Sequence, residues 1–342
     1  MAEPLKLLCA PGSPYTRKMV ALLRYRRIAY AIQWGSHRDP PAHLPTPRVK
    51  LLPTVYFADG DGGHEAVVDS TPIIRRLETD YPGRSAIPSD PVLAFLNYLI
   101  EDFADEWLTK QMFHYRWAHE ADAKNAGPLL IFWTKPTIND ADAQAMADEF
   151  SRGQIERLHV VGSNATTAQT IEESYMRLLE CLDGLIQAQG YALGTRPSSA
   201  DFAIFGQLAQ LAIIEPTSAK LANEAAPRVR AWLDRVEDLS GIEPEESDWL
   251  DRDKIAHVLT PLLAEIGRVY VPFLLANAEA ARSGDVHFDT EIDGRRWTQP
   301  VFGYQAKCLR WIREEFAALS AEDQRLTRMM LETAECAELL NE

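Results

Sequence analysis

Two short runs put polar side chains at the start of a helix, where backbone chemistry is already set up for anions. At residues 12–25, GSPYTRKMVALLRY, a turn glycine leads into Ser13-Pro14 and a helix whose Met19, Leu22 and Leu23 share one face. Serine caps free N–H groups and proline fits the first turn. The same position can also hold a reactive sulfur, so Ser13 is either a cap alone or the group that steadies a thiolate. The second run, Asp69-Ser70-Thr71 before Pro72, opens another helix. Its free N–H groups and dipole suit a carboxylate, and the adjacent acid suits an ammonium. Ser70 as a plain N-cap is compatible with both roles.

Other chemistry is sparse. Cys9, Cys181, Cys308 and Cys336 are far apart with no Cys-x-x-Cys pair, so neither a zinc site nor a disulfide framework is expected. His114 and His119 are five residues apart, a spacing that separates them on a regular helix, and no metal is expected.

The elements that must carry these residues alternate over the first eighty positions. An apolar run at 5–9, the helix from Pro14, AYAIQW at 29–34, TVYF and EAVVD around the turn DGDGG, and STPIIRRLETDYP give β-α-β, loop, β-β-α. From Pro91 the pattern becomes helical. GTRPSSADFAIFGQLAQL sets Ser198 and Asp201 at capping-box spacing, imperfect because Glu or Gln is missing, before a helix apolar enough to be central. The expected division is 1–82, a linker at 83–90, a helical domain at 91–240 and a helical extension at 241–342 with one hairpin at Asp293-Gly294. The Ala- and Asp-rich 119–148 and polar 151–170 read as surface insertions. The formal charge of −15 disfavours nucleic acid and anionic membrane as partners. Residues 1–82 hold eleven Lys and Arg against eight Asp and Glu, whereas 241–342 hold eleven against twenty, so a small anion meets less repulsion at the N-terminal end. No leader and no uninterrupted apolar run long enough to span a bilayer is read, which makes the cytoplasm the expected setting.

PGSPYTRKM, KLLPTVYF, VVDSTPIIRRLE and GTRPSSADFAIF, in that order over about the first 240 residues, resemble the glutathione transferase superfamily. The resemblance implies an α+β thioredoxin-like N-terminal domain followed by an all-helical C-terminal domain, here with extra helices. It also implies glutathione as co-substrate and a twofold homodimer. Asp69, Ser70 and Thr71 would bind the γ-glutamyl end, Leu52 before a cis Pro53 the cysteinyl backbone, and Lys50 and Arg17 anionic groups. Related proteins carry cysteine where this chain has Ser13 and Thr16. A hydroxyl cannot form the mixed disulfide of thiol exchange, but it can hydrogen-bond a thiolate and lower its pKa. The implied activity is therefore that of a serine-type transferase using Ser13, with Tyr15 and Cys9 as competing assignments. It would conjugate glutathione to a small hydrophobic electrophile held by Phe103, Trp107, Met112, Phe113, His114, Tyr115 and Trp117. A non-catalytic glutathione-binding or interaction protein is the alternative.

Overall fold

The computed structural model describes residues 3–38 and 40–341. Strands β1 (Leu5–Cys9) and β2 (Tyr30–Trp34) run parallel, joined by helix α1 (Pro14–Arg26), because a parallel pair needs a crossover. Strand β3 (Thr54–Ala58) pairs antiparallel with β1, and β4 (His64–Val67) with β3, giving the order β2-β1-β3-β4 before α2 (Ser70–Asp80). The β3–β4 turn needs its glycines: Gly60 and Gly62 have φ of +88° and +85°, and Asp59 Oδ1 accepts from the Asp61 and Gly63 N–H groups. This thioredoxin-like sheet carries the start of both helices singled out above.

The helices that follow are α3 (Pro91–Glu106), α4 (Leu108–Ala118), α5 (Glu120–Thr134), α6 (Asp140–Ile155), α7 (Ala168–Gln189), α8 (Ser199–Leu211), α9 (Pro216–Ala225) and α10 (Pro227–Val236). Helices α5 and α6 occupy the stretch read as insertions and pack on each other through Ile131, Ala143 and Ala147. Every residue of α8 is buried. Its start is better capped than the sequence suggests: Asp201 accepts from the Ser198 N–H (2.8 Å), the Ser198 hydroxyl (2.7 Å) and the Ala192 N–H (2.7 Å). Gly206 lets α8 lie directly on α1, since a Cβ there would fall 2.5 Å from the Pro14 carbonyl oxygen.

The extension contains α11 (Ile255–Glu265), α12 (Val271–Ser283), strands β5 (His287–Ile292) and β6 (Arg295–Pro300), α13 (Gly303–Ala317) and α14 (Ala321–Thr333). Asp293 and Gly294, with φ of 52° and 71°, form the expected hairpin turn. Arg252–Ser283 is a helical run long and apolar enough by composition to cross a membrane, but Glu265 and Arg268 interrupt it and 61% of its most apolar stretch is buried inside the fold. Tyr270, Phe273 and Trp297 of the extension pack on Phe103 and Trp107, with Trp107 and Trp297 5.3 Å apart between ring centroids.

Two lysines are buried in contrasting ways. Lys18 Nζ lies 2.7 Å from Glu101 Oε1, 2.6 Å from Asp105 Oδ2 and 3.0 Å from Ser70 Oγ, so one cation ties α1 to α3 and to the first residue of α2. Burial opposes its charge, but Asp105 and Glu101 outweigh burial and raise its pKa. Lys110 has no carboxylate partner among the described residues. Its Nζ donates to the Val161 carbonyl (3.2 Å) and Gln299 Oε1 (3.1 Å) and sits 4.0 Å from the centre of the Phe273 ring. Burial pushes its pKa down to about 7, against a weak upward pull from Glu106.

Removing the paired lysine strands buried carboxylates, so Lys18→Met is expected to cost about 3–5 kcal/mol in urea unfolding. A cost below about 1 kcal/mol would contradict the pairing. For Lys110 the sign follows from its lowered pKa. Between about pH 7 and the unfolded value of about 10.4, the unfolded chain binds a proton that the folded chain does not, so stability rises with pH. Comparing wild type with Lys110→Met in urea should show the difference moving in favour of wild type from pH 7 to 10.

Candidate functional site

Ser13 is the N-cap of α1, in extended backbone conformation, and its Oγ accepts from the Thr16 N–H. The same hydroxyl donates to the Leu52 carbonyl at 3.2 Å. The Leu52-Pro53 peptide is cis, as the resemblance implies. Ser13, Leu52 and Pro53 are thus brought together across 39 positions of sequence.

The turn ahead of Ser13 is held from behind by groups the sequence reading assigned elsewhere or missed. Buried Arg116 donates to the Gly12 carbonyl (3.0 Å), Glu215 Oε1 (2.5 Å) and Gln210 Oε1 (2.7 Å), and Gln210 donates to the Pro11 carbonyl. Gly12 has no room for a Cβ, which would meet Leu130 at 2.2 Å, so α5 closes on this turn. The signal for Arg116 was its place among aromatics at helical spacing, which marks a buried face.

The competing sulfur and phenol are placed differently. Burial pushes the Cys9 thiol up to about 12, so it stays protonated near neutrality. Tyr15 points into the helical domain, donating to the Asp105 carbonyl (2.8 Å) and meeting Thr109 Oγ1 at 2.9 Å. Burial, then the charges of Glu106 and Asp105, raise its pKa well above the ordinary phenol value. Arg17 turns away as well: its Nε donates to the Pro11 carbonyl and its guanidinium faces Glu237 at 3.6 Å. There it lines a cavity of about 270 Å³ with Trp34, Trp133 and Val20.

At the second helix start, Asp69 adopts φ 81°, a strained conformation for a residue with a side chain. Ser70 Oγ accepts from Lys18, Thr71 Oγ1 donates to Glu101 Oε1 at 2.9 Å, and Asp69 Oδ2 accepts from the Tyr304 hydroxyl at 2.7 Å. Tyr304, at the start of α13, was not anticipated, because the extension had no counterpart in the resemblance. Lys18 carried a readable signal: it shares the stripe Pro14, Leu22 and Tyr25, where a lysine demands a partner. Lys50 is exposed, and together with Arg38 and Arg157 it presses on His37, whose pKa burial lowers first.

The residues expected to line an electrophile pocket mostly fill the core. Phe103 and Trp107 are fully buried, the Trp107 indole N–H donates to Ser174 Oγ, and Met112, Tyr115 and Trp117 are nearly buried. Phe113 is partly buried, and Trp117 also borders a cavity of about 830 Å³ between α4, α5 and α6. Their spacing marks a packed helix face. His114 is buried too, but on the other side, with Nδ1 2.8 Å from Ser163 Oγ and Nε2 3.2 Å from Glu172 Oε1. The five-residue argument against pairing it with His119 fails, because α4 ends at Ala118 and His119 has φ −97° and ψ 127°. The two rings are 5.3 Å apart.

Residues 7–85 match the glutathione S-transferase N-terminal domain family and residues 152–235 the glutathione S-transferase C-terminal domain family. Among solved structures, the tau class glutathione S-transferase of mango, Mangifera indica, is 18% identical. That match covers 74% of this chain and 96% of the mango chain, with a TM-score of 0.44. The β-etherase LigF of Sphingobium sp. strain SYK-6 is 19% identical over 68% of this chain and 95% of its own, with a TM-score of 0.47. A glutathione transferase family member from Pseudomonas fluorescens pf-5, solved with two glutathione bound, is 16% identical over 68% and 88%, with a TM-score of 0.40. No curated protein matches the sequence. With a thioredoxin-like sheet, a helical domain behind it and both domain families matched in order, the chain belongs to the glutathione transferase superfamily.

Proposed function

We propose that this protein is a glutathione transferase in which Ser13 lowers the thiol pKa of bound glutathione, and the thiolate then attacks a hydrophobic electrophile. The observation that carries the reading is the convergence of the Ser13 hydroxyl with Leu52 at the N-terminus of α1. A thiolate placed there would accept the Ser13 O–H in place of the Leu52 carbonyl and would sit in the positive field of the helix end. Ser70 still has a proton to donate to the γ-glutamyl carboxylate, and the Lys18 charge beneath it strengthens that end of α2 for an anion. Asp69 Oδ1 remains for the ammonium while Oδ2 holds Tyr304. Lys50, beside Arg38 and Arg157, suits the glycine carboxylate. The same reading includes a cytoplasmic homodimer.

A specific observation favours a second reading, a glutathione-binding or interaction protein without catalysis. The side chains of Asp69, Ser70 and Thr71 already have partners inside the chain, and one of these comes from the extension.

Calorimetry with glutathione and conjugation rates with a reactive aromatic halide separate the two. Ser13→Ala is expected to bind glutathione much as wild type does while losing about 10²-fold in rate, the scale of one lost donor to a developing or stabilised anion. Its rate-against-pH curve should rise at higher pH than that of wild type. Binding with no conjugation by wild type would support the second reading, and no binding would leave only an interaction protein of this fold. Because Tyr304 shares the Asp69 carboxylate with the ligand ammonium and takes up part of its charge, Tyr304→Phe should tighten glutathione binding about fivefold in the same calorimeter. Weaker binding would instead make Tyr304 an orienting partner of Asp69.

A further inference from the structure

The convergence of His114, His119 and Glu172 lies outside everything proposed above. Glu172 Oε1, from the early part of α7, is 3.2 Å from His114 Nε2 and 3.4 Å from His119 Nε2. Two ligand atoms on a tetrahedral zinc ion with bonds of about 2.0–2.1 Å lie about 3.3–3.4 Å apart, so both observed separations are those of tetrahedral edges. One ligand atom from each of the three residues lies within 4.8 Å of the others.

The hydrogen-bond geometry around the two rings also leaves room for a cation. His114 is buried, so its ring is held in place on α4. With the ring proton on Nδ1, donated to Ser163 Oγ at 2.8 Å, Nε2 turns a lone pair toward the Glu172 carboxylate. His119 Nε2 is buried and has no hydrogen-bond partner, although the same carboxylate lies 3.4 Å away. With its proton on Nδ1, His114 cannot donate to Glu172, whereas a metal ion would satisfy both imidazoles and the carboxylate at once. The His119 ring is held in place by stacking on Tyr115, with centroids 5.4 Å apart and planes 23° apart.

We propose that His114, His119 and Glu172 form a three-ligand site for a zinc-class divalent cation. Two imidazoles and one carboxylate suit zinc better than calcium or magnesium, which prefer all-oxygen shells. Glu172 is partly exposed, so the fourth position opens to solvent and takes water. The ion would join the end of α4 to the start of α7 across the break at His119. Ser163, which orients His114, follows Gly162, and a Cβ at Gly162 would press on Trp297 and Gln299 of the extension hairpin. The site therefore stiffens the same segment on which the extension rests.

The test uses the full chain freed of metal with a chelator, without glutathione, whose own thiol binds zinc. Zinc is followed by calorimetry and cobalt by its visible absorbance. The expected result is one ion per chain, the intense cobalt bands of a tetrahedral site, and a higher melting temperature with zinc. Glu172→Gln and His119→Ala should each weaken binding about 100-fold, and Ser163→Ala about tenfold. Each variant's melting curve reports that it is folded, and partly exposed Glu172 supplies the decisive variant should His119→Ala fail to fold. No binding by wild type, or undiminished binding by Glu172→Gln, overturns the site. Neither result depends on glutathione binding, so this proposal and the transferase reading fail separately.

Discussion

A single positive charge sealed between the two domains sets the rest of the geometry. Lys18 sits on what is otherwise the apolar face of α1 and is held by Glu101 and Asp105, one turn apart on α3. A buried ammonium without such partners would be deprotonated or would open the interface, so α1 and α3 have a narrow range of relative positions. Glu101 carries more of the load, because it also accepts from Ser199 Oγ and Thr71 Oγ1, and these donors together with Lys18 keep its pKa low despite burial. The same lysine reaches Ser70, and Gly206 permits α8 to press against α1. The two helix starts proposed to face a thiol and a carboxylate are therefore fixed by one interaction within the chain.

The extension is attached by other physics. Aromatic stacking on Phe103 and Trp107 provides area; beside it lie buried polar contacts, Tyr270 to Asp102 at 2.6 Å, Gln305 to Glu106 at 2.9 Å and the Lys110 amine to Gln299, and farther out Arg177 pairs with Glu265 and Asp293. Burial raises Asp102 to about 6 and Glu106 to about 8, and lowers Lys110 to about 7, so the buried centre of this interface favours neutral groups, while ion pairs such as Arg177 with Glu265 lie at its edge. Its reach is what matters for function. By placing Tyr304 on Asp69, the extension contributes to the recognition end of the site, and any ligand ammonium arriving there shares the carboxylate with it.

What the sequence made legible was local. Turns such as Asp59 to Gly63 and Asp293-Gly294, the caps at Ser13 and Ser198, and the stripe of α1 are dictated by near neighbours, and the structure contains them. The aromatic run from Phe103 to Trp117 showed its helical period but not which side met solvent, since helices of the extension cover part of it. Arg17 and Arg116 illustrate the same gap. Both were visible as arginines on helices, and only the tertiary packing sends one to Glu237 and the other under the Ser13 turn. The His114 and His119 pair was hidden by the assumption of a continuous helix, which the break at His119 removes. Tyr304 lies more than two hundred positions from Asp69, and no pattern along the chain announces such a contact.

The central claim is that the N-terminal end of α1, fixed through Lys18, stabilises a thiolate. The most direct measurement is an ultraviolet titration of the thiol of glutathione bound to the wild-type protein. An apparent pKa clearly below the free value of about 8.5 is the predicted result. Bound glutathione that titrates at the free value would contradict it, leaving Ser13 as a helix cap that also holds the Leu52 loop.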